Sequence, residues 1–249
     1  GFLIFCNHAM GQPKNYTIYF QSDNDSYTLQ GIDRYYTQGN IAGFKQLLYP
    51  DSTSTRGLTY ELGQKAFTPI SKLFKNVANF DRPYAGYLYF KADRISASQR
   101  RMLKLGASLG IIGPASLAEN TQRIIHDIVG SNQPRGWEYQ IENDVVLNLH
   151  GDFANVVWSR KKINLLFEGQ ATLGTGFFNF NLGPILQFGK FNPLNTSSLF
   201  GLQMSDKADK EIFLFYKPSL GIVLYDATIQ GSMFHDRSAF VARPEYIVL

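Results

Sequence analysis

The sequence predicts an all-β fold, an antiparallel transmembrane β-barrel with one short helix set among its strands. Three observations predict it. Apolar and polar residues alternate with a period of two along most of the chain, the pattern of strands with one face in lipid and the other in a polar interior. The 249 residues combine 14% aromatic side chains and 22 glycines with a mean hydropathy of −0.17, a mixture rare in packed helical proteins. No run approaches the roughly 18 apolar residues of a membrane-spanning helix, so a membrane would be crossed by strands whose backbone groups pair with one another.

In chain order, the opening GFLIFCNHAMGQ reads as the end of a secretory signal: Phe2 to Cys6 finish an apolar core, and Ala9, Met10 and Gly11 form a small-x-small cleavage site. Residues 1–11 are expected to be removed, leaving residues 12–249 as a single barrel domain that begins at Gln12. Cys6, the one cysteine, then lies outside the mature fold, and no disulfide framework exists. Twenty-four basic against 20 acidic residues give a net charge of +4, too mild for a nucleic-acid partner.

The first strand places Tyr16, Ile18 and Phe20 on one face and Thr17, Tyr19 and Gln21 on the other. Leu58, Tyr60 and Leu62 share a face further on, and Tyr84 to Ala92 alternates Tyr87 and Tyr89 against Leu88 and Phe90. Further strands are expected at Arg101–Ile112, Glu138–Leu149, Lys162–Leu173, Phe178–Phe188 and Glu211–Tyr225, about ten in all. One segment departs from this period. Over Asn120–Val129, Ile124, Ile125, Ile128 and Val129 recur at helical spacing, with Gly130 as a stop. This short helix carries Gln122 and His126, four residues apart and therefore on one face. The chain ends without a closing aromatic residue, and the natural protein is expected to continue past Leu249.

Three polar clusters could carry chemistry. In Asp23–Gly39, Asn24, Asp25, Asp33 and Thr37 are hard oxygen ligands suited to calcium or magnesium, although the spacing is not that of an EF-hand and such clusters are commonly solvated turns. The second runs from GQKAFTP through Lys72 and Lys75 to DRPYAG, which reads equally well as a turn with an Asp81–Arg82 contact inside the lumen. The third joins His126 to Gly136, Trp137, Gln140, Glu142 and Asn143, with Trp137 at a membrane interface or as a platform for the helix and the polar groups in the lumen. There is no GxSxG elbow, no phosphate-binding glycine fingerprint and no cysteine pair for zinc.

NDSYTLQGIDRYYTQG, GQKAFTP, DRPYAGYLY, LGIIGP, TQRIIHDIVG and GWEYQIEN, in this order between about residues 16 and 150, together resemble the outer-membrane lipid A 3′-O-deacylases and their uncharacterised relatives. The resemblance implies a twelve-stranded barrel in a Gram-negative outer membrane, acting as a monomer on lipid A of lipopolysaccharide. It further implies calcium dependence and histidine-activated water in place of a serine nucleophile. Position by position it assigns catalysis to His126, Asn24, Lys72 and Gln122, with Lys75 in reserve for the lysine, and metal binding to Asp25 and Thr37. Asn132 stands where some members carry an acidic residue after the histidine. Two other readings compete: a non-catalytic barrel, structural or pore-forming, and a soluble periplasmic β protein with a metal-dependent phosphoesterase site. The second requires the rings of alternate strand faces to be buried by protein.

Overall fold

A computed structural model describes residues 2–5, 15–24, 35–48, 53–70, 77–202 and 209–242. Eleven strands form one antiparallel sheet: β1 (Phe2–Phe5), β2 (Tyr16–Asn24), β3 (Tyr35–Leu47), β4 (Ser54–Thr68), β5 (Ala85–Ser98), β6 (Arg101–Ile112), β7 (Asp144–Arg160), β8 (Ile163–Gly174), β9 (Phe177–Lys190), β10 (Ile212–Tyr216) and β11 (Leu220–Asp226). Helices α1 (Ala118–Val129) and α2 (Ala227–Gln230) complete the set. Each strand from β1 to β9 pairs with its successor, and β10 and β11 both pair with β9. Their registers, Tyr216 opposite Leu186 and Leu220 opposite Leu182, make them successive lengths of one strand. The break falls at Pro218, which has no N–H to give the ladder. Among the described residues the sheet is open, with β1 at one end and β10 and β11 at the other.

Phe2–Phe5 pairs antiparallel with β2, with Phe5 opposite Tyr19, an apolar run satisfying the backbone groups of that edge. One expectation changes. The strand expected from Glu138 begins only at Asp144. Before it, Trp137–Tyr139 form a 3-10 turn entered through Gly136 at φ 111°, and the Ile141 N–H donates to the Tyr84 carbonyl. The alternation there serves packing in a loop.

The sheet curls around a cavity of about 360 Å³ lined from β2 to β10, by Tyr19, Lys45, Glu61, Asp93, Lys104 and Asp152 among others. This lumen is charged and internally paired. Lys104 meets Asp152 at 2.5 Å, Lys91 meets Asp93 at 3.1 Å and Tyr19 donates to Glu61 at 2.5 Å. Ile18, Leu62, Phe90, Leu105, Leu109 and Leu149 project from the opposite face and are exposed. Rings on that face form a ladder, Tyr16 to Phe44, Phe44 to Tyr60 and Tyr60 to Phe90, at 6.1, 6.5 and 6.2 Å. An exposed apolar belt around a charged interior is what lipid requires, and it removes the soluble periplasmic reading.

The two ends differ. The connections β3–β4, β5–β6, β7–β8 and β9–β10 meet at one end, and there residues 192–202 fold inward. Leu194 and Leu202 pack among Leu47, Ile95, Met102, Leu166 and Ile185 and close the barrel. Glu211 holds this plug by accepting from the Asn192 and Ser198 N–H groups, each at 2.6 Å. At the other end emerge the longer segments that carry the candidate residues.

Candidate active site on the outer wall

Along β5, Tyr87, Tyr89 and Asp93 face the lumen, so Gly86, Leu88 and Phe90 face outward. Ala66 stands opposite Gly86 on β4 and shares its face. Ala118, in the first turn of α1, clusters with Ala66, Phe80, Tyr84 and Trp137. Gln64, also on the outer face of β4, donates to the Ser116 carbonyl at 2.7 Å. The helix therefore lies against the outside of the barrel wall, over β4 and β5, at the long-segment end. Its approach is fixed by Gly113, at φ 97°, whose N–H donates to the Gly86 carbonyl at 2.9 Å. It stops at Gly130, at φ 69°, as the sequence indicates, and starts two residues before the expected Asn120.

The side that α1 presents to the wall is its polar one. Ala118, Gln122 and His126 are buried, whereas Ile124, Ile128 and Val129 are exposed. Gln122 and His126 thus share one buried face, as their spacing indicates. The His126 Nδ1 lies 2.6 Å from the Asn132 carbonyl oxygen. A carbonyl only accepts, so Nδ1 carries a proton, and Nε2 is the nitrogen left to act as a base. This is the arrangement of a general base oriented from behind.

Gln122 is held with equal definition. The Trp137 indole can only donate, and its Nε1 lies 2.8 Å from the Gln122 Oε1. The amide nitrogen is then directed elsewhere, and it is buried with no hydrogen-bond partner among the described residues. A buried donor in this condition costs about 1–3 kcal/mol until an acceptor arrives. Trp137, fully buried by protein, is the platform for the helix and does not face lipid. Replacing it by Phe keeps the ring and strands the Gln122 oxygen. Thermal or denaturant unfolding should show a loss of about 1–3 kcal/mol.

Thr37 occupies a β-bulge where the β3–β4 register shifts between Tyr36 and Gln38. The extra residue in a bulge re-aims side chains; Thr37 and Gln38 are both buried, and the Thr37 Oγ1 is 2.6 Å from the Thr68 Oγ1. Thr68 shares its face with Ala66 two residues earlier, so the two hydroxyls sit on the same outer rim as α1, one strand over. Asn24 ends β2 opposite Gln38. Asp25, Asp33, Lys72 and Lys75 lie outside the described residues.

Two expected contacts are not made. Asp81 and Arg82 do not pair in the lumen: the exposed Asp81 accepts from the Ile70 N–H at 2.9 Å, while the buried Arg82 donates to Thr228 and lies over the Phe67 ring. Adjacent residues in a turn point apart, and each finds a partner on another segment. Glu142 and Asn143 are exposed rather than in the lumen, and Asn143 accepts from the Ala115 N–H at 2.8 Å.

For a metal, Thr37 and Thr68 offer hard oxygen donors of the kind that calcium takes. Among the described residues no three of His, Cys, Asp and Glu stand together as a metal cluster.

The family described as Outer membrane protein LpxR matches residues 1–248 of this chain. No curated protein matches it. Among solved structures, LpxR from Salmonella typhimurium has a TM-score of 0.64 at 24% identity, over 80% of this chain and 70% of that one, a likeness of fold.

Proposed function

Because this chain belongs to the LpxR family of outer-membrane proteins, we propose that it is a lipid A deacylase, a carboxylic ester hydrolase that removes an acyl chain from the 3′ side of lipid A and works as a monomer. The observation that carries this reading is the His126 ring, held through Nδ1 by the Asn132 carbonyl on the outer wall of the barrel. The outer wall, not the lumen, is where an outer-leaflet lipid can reach it.

In the proposed reaction the His126 Nε2 takes a proton from water as the water oxygen bonds to the ester carbonyl carbon. The tetrahedral species collapses by breaking the bond to the sugar-side oxygen, which receives the proton back from His126. A fatty acid and a hydroxyl result. The Gln122 amide nitrogen supplies a buried donor one helical turn away, suited to the attacking water or to the oxyanion. Asn24 and Lys72, or Lys75 in its place, are assigned to the same developing charge. Calcium held by Asp25 and Thr37 would supply positive charge beside that oxygen.

Mass spectrometry of lipid A from cells with and without the protein tests the reading. Loss of one acyl-chain mass in its presence is expected, and identical spectra reject the activity. With purified protein, a chelator should silence acyl release and added calcium restore it; indifference to both removes the ion from the scheme. The pore-forming alternative is disfavoured by the plug at residues 192–202, which fills the lumen at one end.

A further inference from the structure

Helix α1 has three stripes rather than two. Ala118, Gln122 and His126 face the wall. Glu119, Arg123 and Asp127 form a charged stripe, with Glu119 paired to Arg123 at 2.8 Å. The loop after the helix folds over this stripe, since the Gln133 Nε2 donates to Asp127 at 2.5 Å and to the Arg123 carbonyl at 3.2 Å. Leu117, Ile124 and Ile128 make the third stripe and are 56%, 59% and 78% exposed. A fold that ties down its charged stripe with hydrogen bonds and ion pairs and leaves isoleucines bare has placed those isoleucines in a solvent that suits them.

The position of the helix says which solvent. Its first turn rests on Gly86 and Ala66, and directly beneath on the same outer face stand Leu88 and Phe90 of β5 and Leu62 of β4. Ala66 and Leu62 are four residues apart, about 13 Å at strand rise, close to the width of a helix. The bare stripe of α1 and the lipid belt therefore lie on the same outer side of the barrel.

We propose that Leu117, Ile124 and Ile128 insert into the acyl layer of the outer leaflet, so that α1 lies in the membrane interface as a helix with an apolar side in hydrocarbon and a charged side toward the headgroups. The inference rests on the outer-membrane placement of the chain and stands apart from the deacylase reading. It gives the helix bearing His126 a fixed depth in the membrane, set by the lipid as well as by the wall.

Spin labels at Ile124→Cys, Ile128→Cys and Asp127→Cys, each with Cys6→Ser, test it in phosphatidylcholine–phosphatidylglycerol vesicles. Collision with oxygen, which partitions into acyl chains, is compared with collision with a water-soluble nickel chelate. The oxygen-to-nickel ratio at positions 124 and 128 should exceed that at 127 by about fivefold or more, as expected for opposite sides of an interfacial helix. Nickel access at 124 and 128 equal to that at 127 places the stripe in water and overturns the proposal. Shielding from both reagents places protein over it, such as a second copy, and also overturns it. Heat modifiability reports folding of each variant, and Leu117→Cys, on the same stripe, is read in place of any that loses it.

Discussion

Replacing His126 by Ala is expected to suppress acyl release, with a fall in kcat of about 10²–10⁴-fold, the range that general base catalysis supplies. The barrel survives this change, because the ring contributes to the fixing of α1 against the wall and to no strand pairing. The protein should keep its heat-modifiable migration while lipid A stays fully acylated by mass spectrometry. His126→Asn, a smaller polar side chain without a base nitrogen, is expected to be as inactive. Full activity in either variant would take the base away from position 126 and with it the reaction scheme.

Gly86→Val should cost about 10²-fold in rate while leaving His126, Gln122 and Trp137 chemically intact. A Cβ at Gly86 would stand 2.0 Å from the Ser116 Oγ and 2.6 Å from the Ala118 Cβ. The serine hydroxyl can rotate, but the alanine Cβ moves only with the helix backbone. Valine adds two more carbons, so the first turn of α1 must lift from the wall, and a shift of about 1 Å in a reacting group is enough for a loss of this size. Gly86→Ala, with a single carbon, should lose less. Measured rates that follow the order Gly, Ala, Val, with unchanged heat modifiability, assign the effect to helix placement. Equal rates in all three would show that the seating of α1 on β5 does not position the base.

The architecture was legible where both faces of a strand obey the alternation. Arg101–Ile112 runs with the bounds expected of it because charged or small residues (Lys104, Gly106, Ser108 and Gly110) fill its central lumen positions and aliphatic ones (Leu103, Leu105, Leu109 and Ile111) face lipid. The Glu211–Tyr225 strand was legible as one element, its break at Pro218 being a local loss of a donor. The rings of residues 137–141 alternate just as well but are spent on packing beneath α1, and period alone does not separate the two uses. In the site, the pairing of Gln122 with His126 follows from their spacing. Which side of the helix would be buried does not, since in lipid the isoleucine stripe is as well placed outside as inside. The Trp137–Gln122 bond joins residues 15 apart in the chain, and the Thr37–Thr68 contact depends on a bulge. Both are tertiary facts with no local sequence signal.

The partner of the imidazole is a peptide carbonyl, and this has a consequence for how the site tolerates change. A carboxylate in that role can be lost by a single substitution and neutralised by acid. The Asn132 oxygen belongs to the main chain, so every amino acid at position 132 that keeps the loop path supplies the same acceptor. Genetic drift there is silent toward the ring, and acid cannot remove this acceptor as it would a carboxylate.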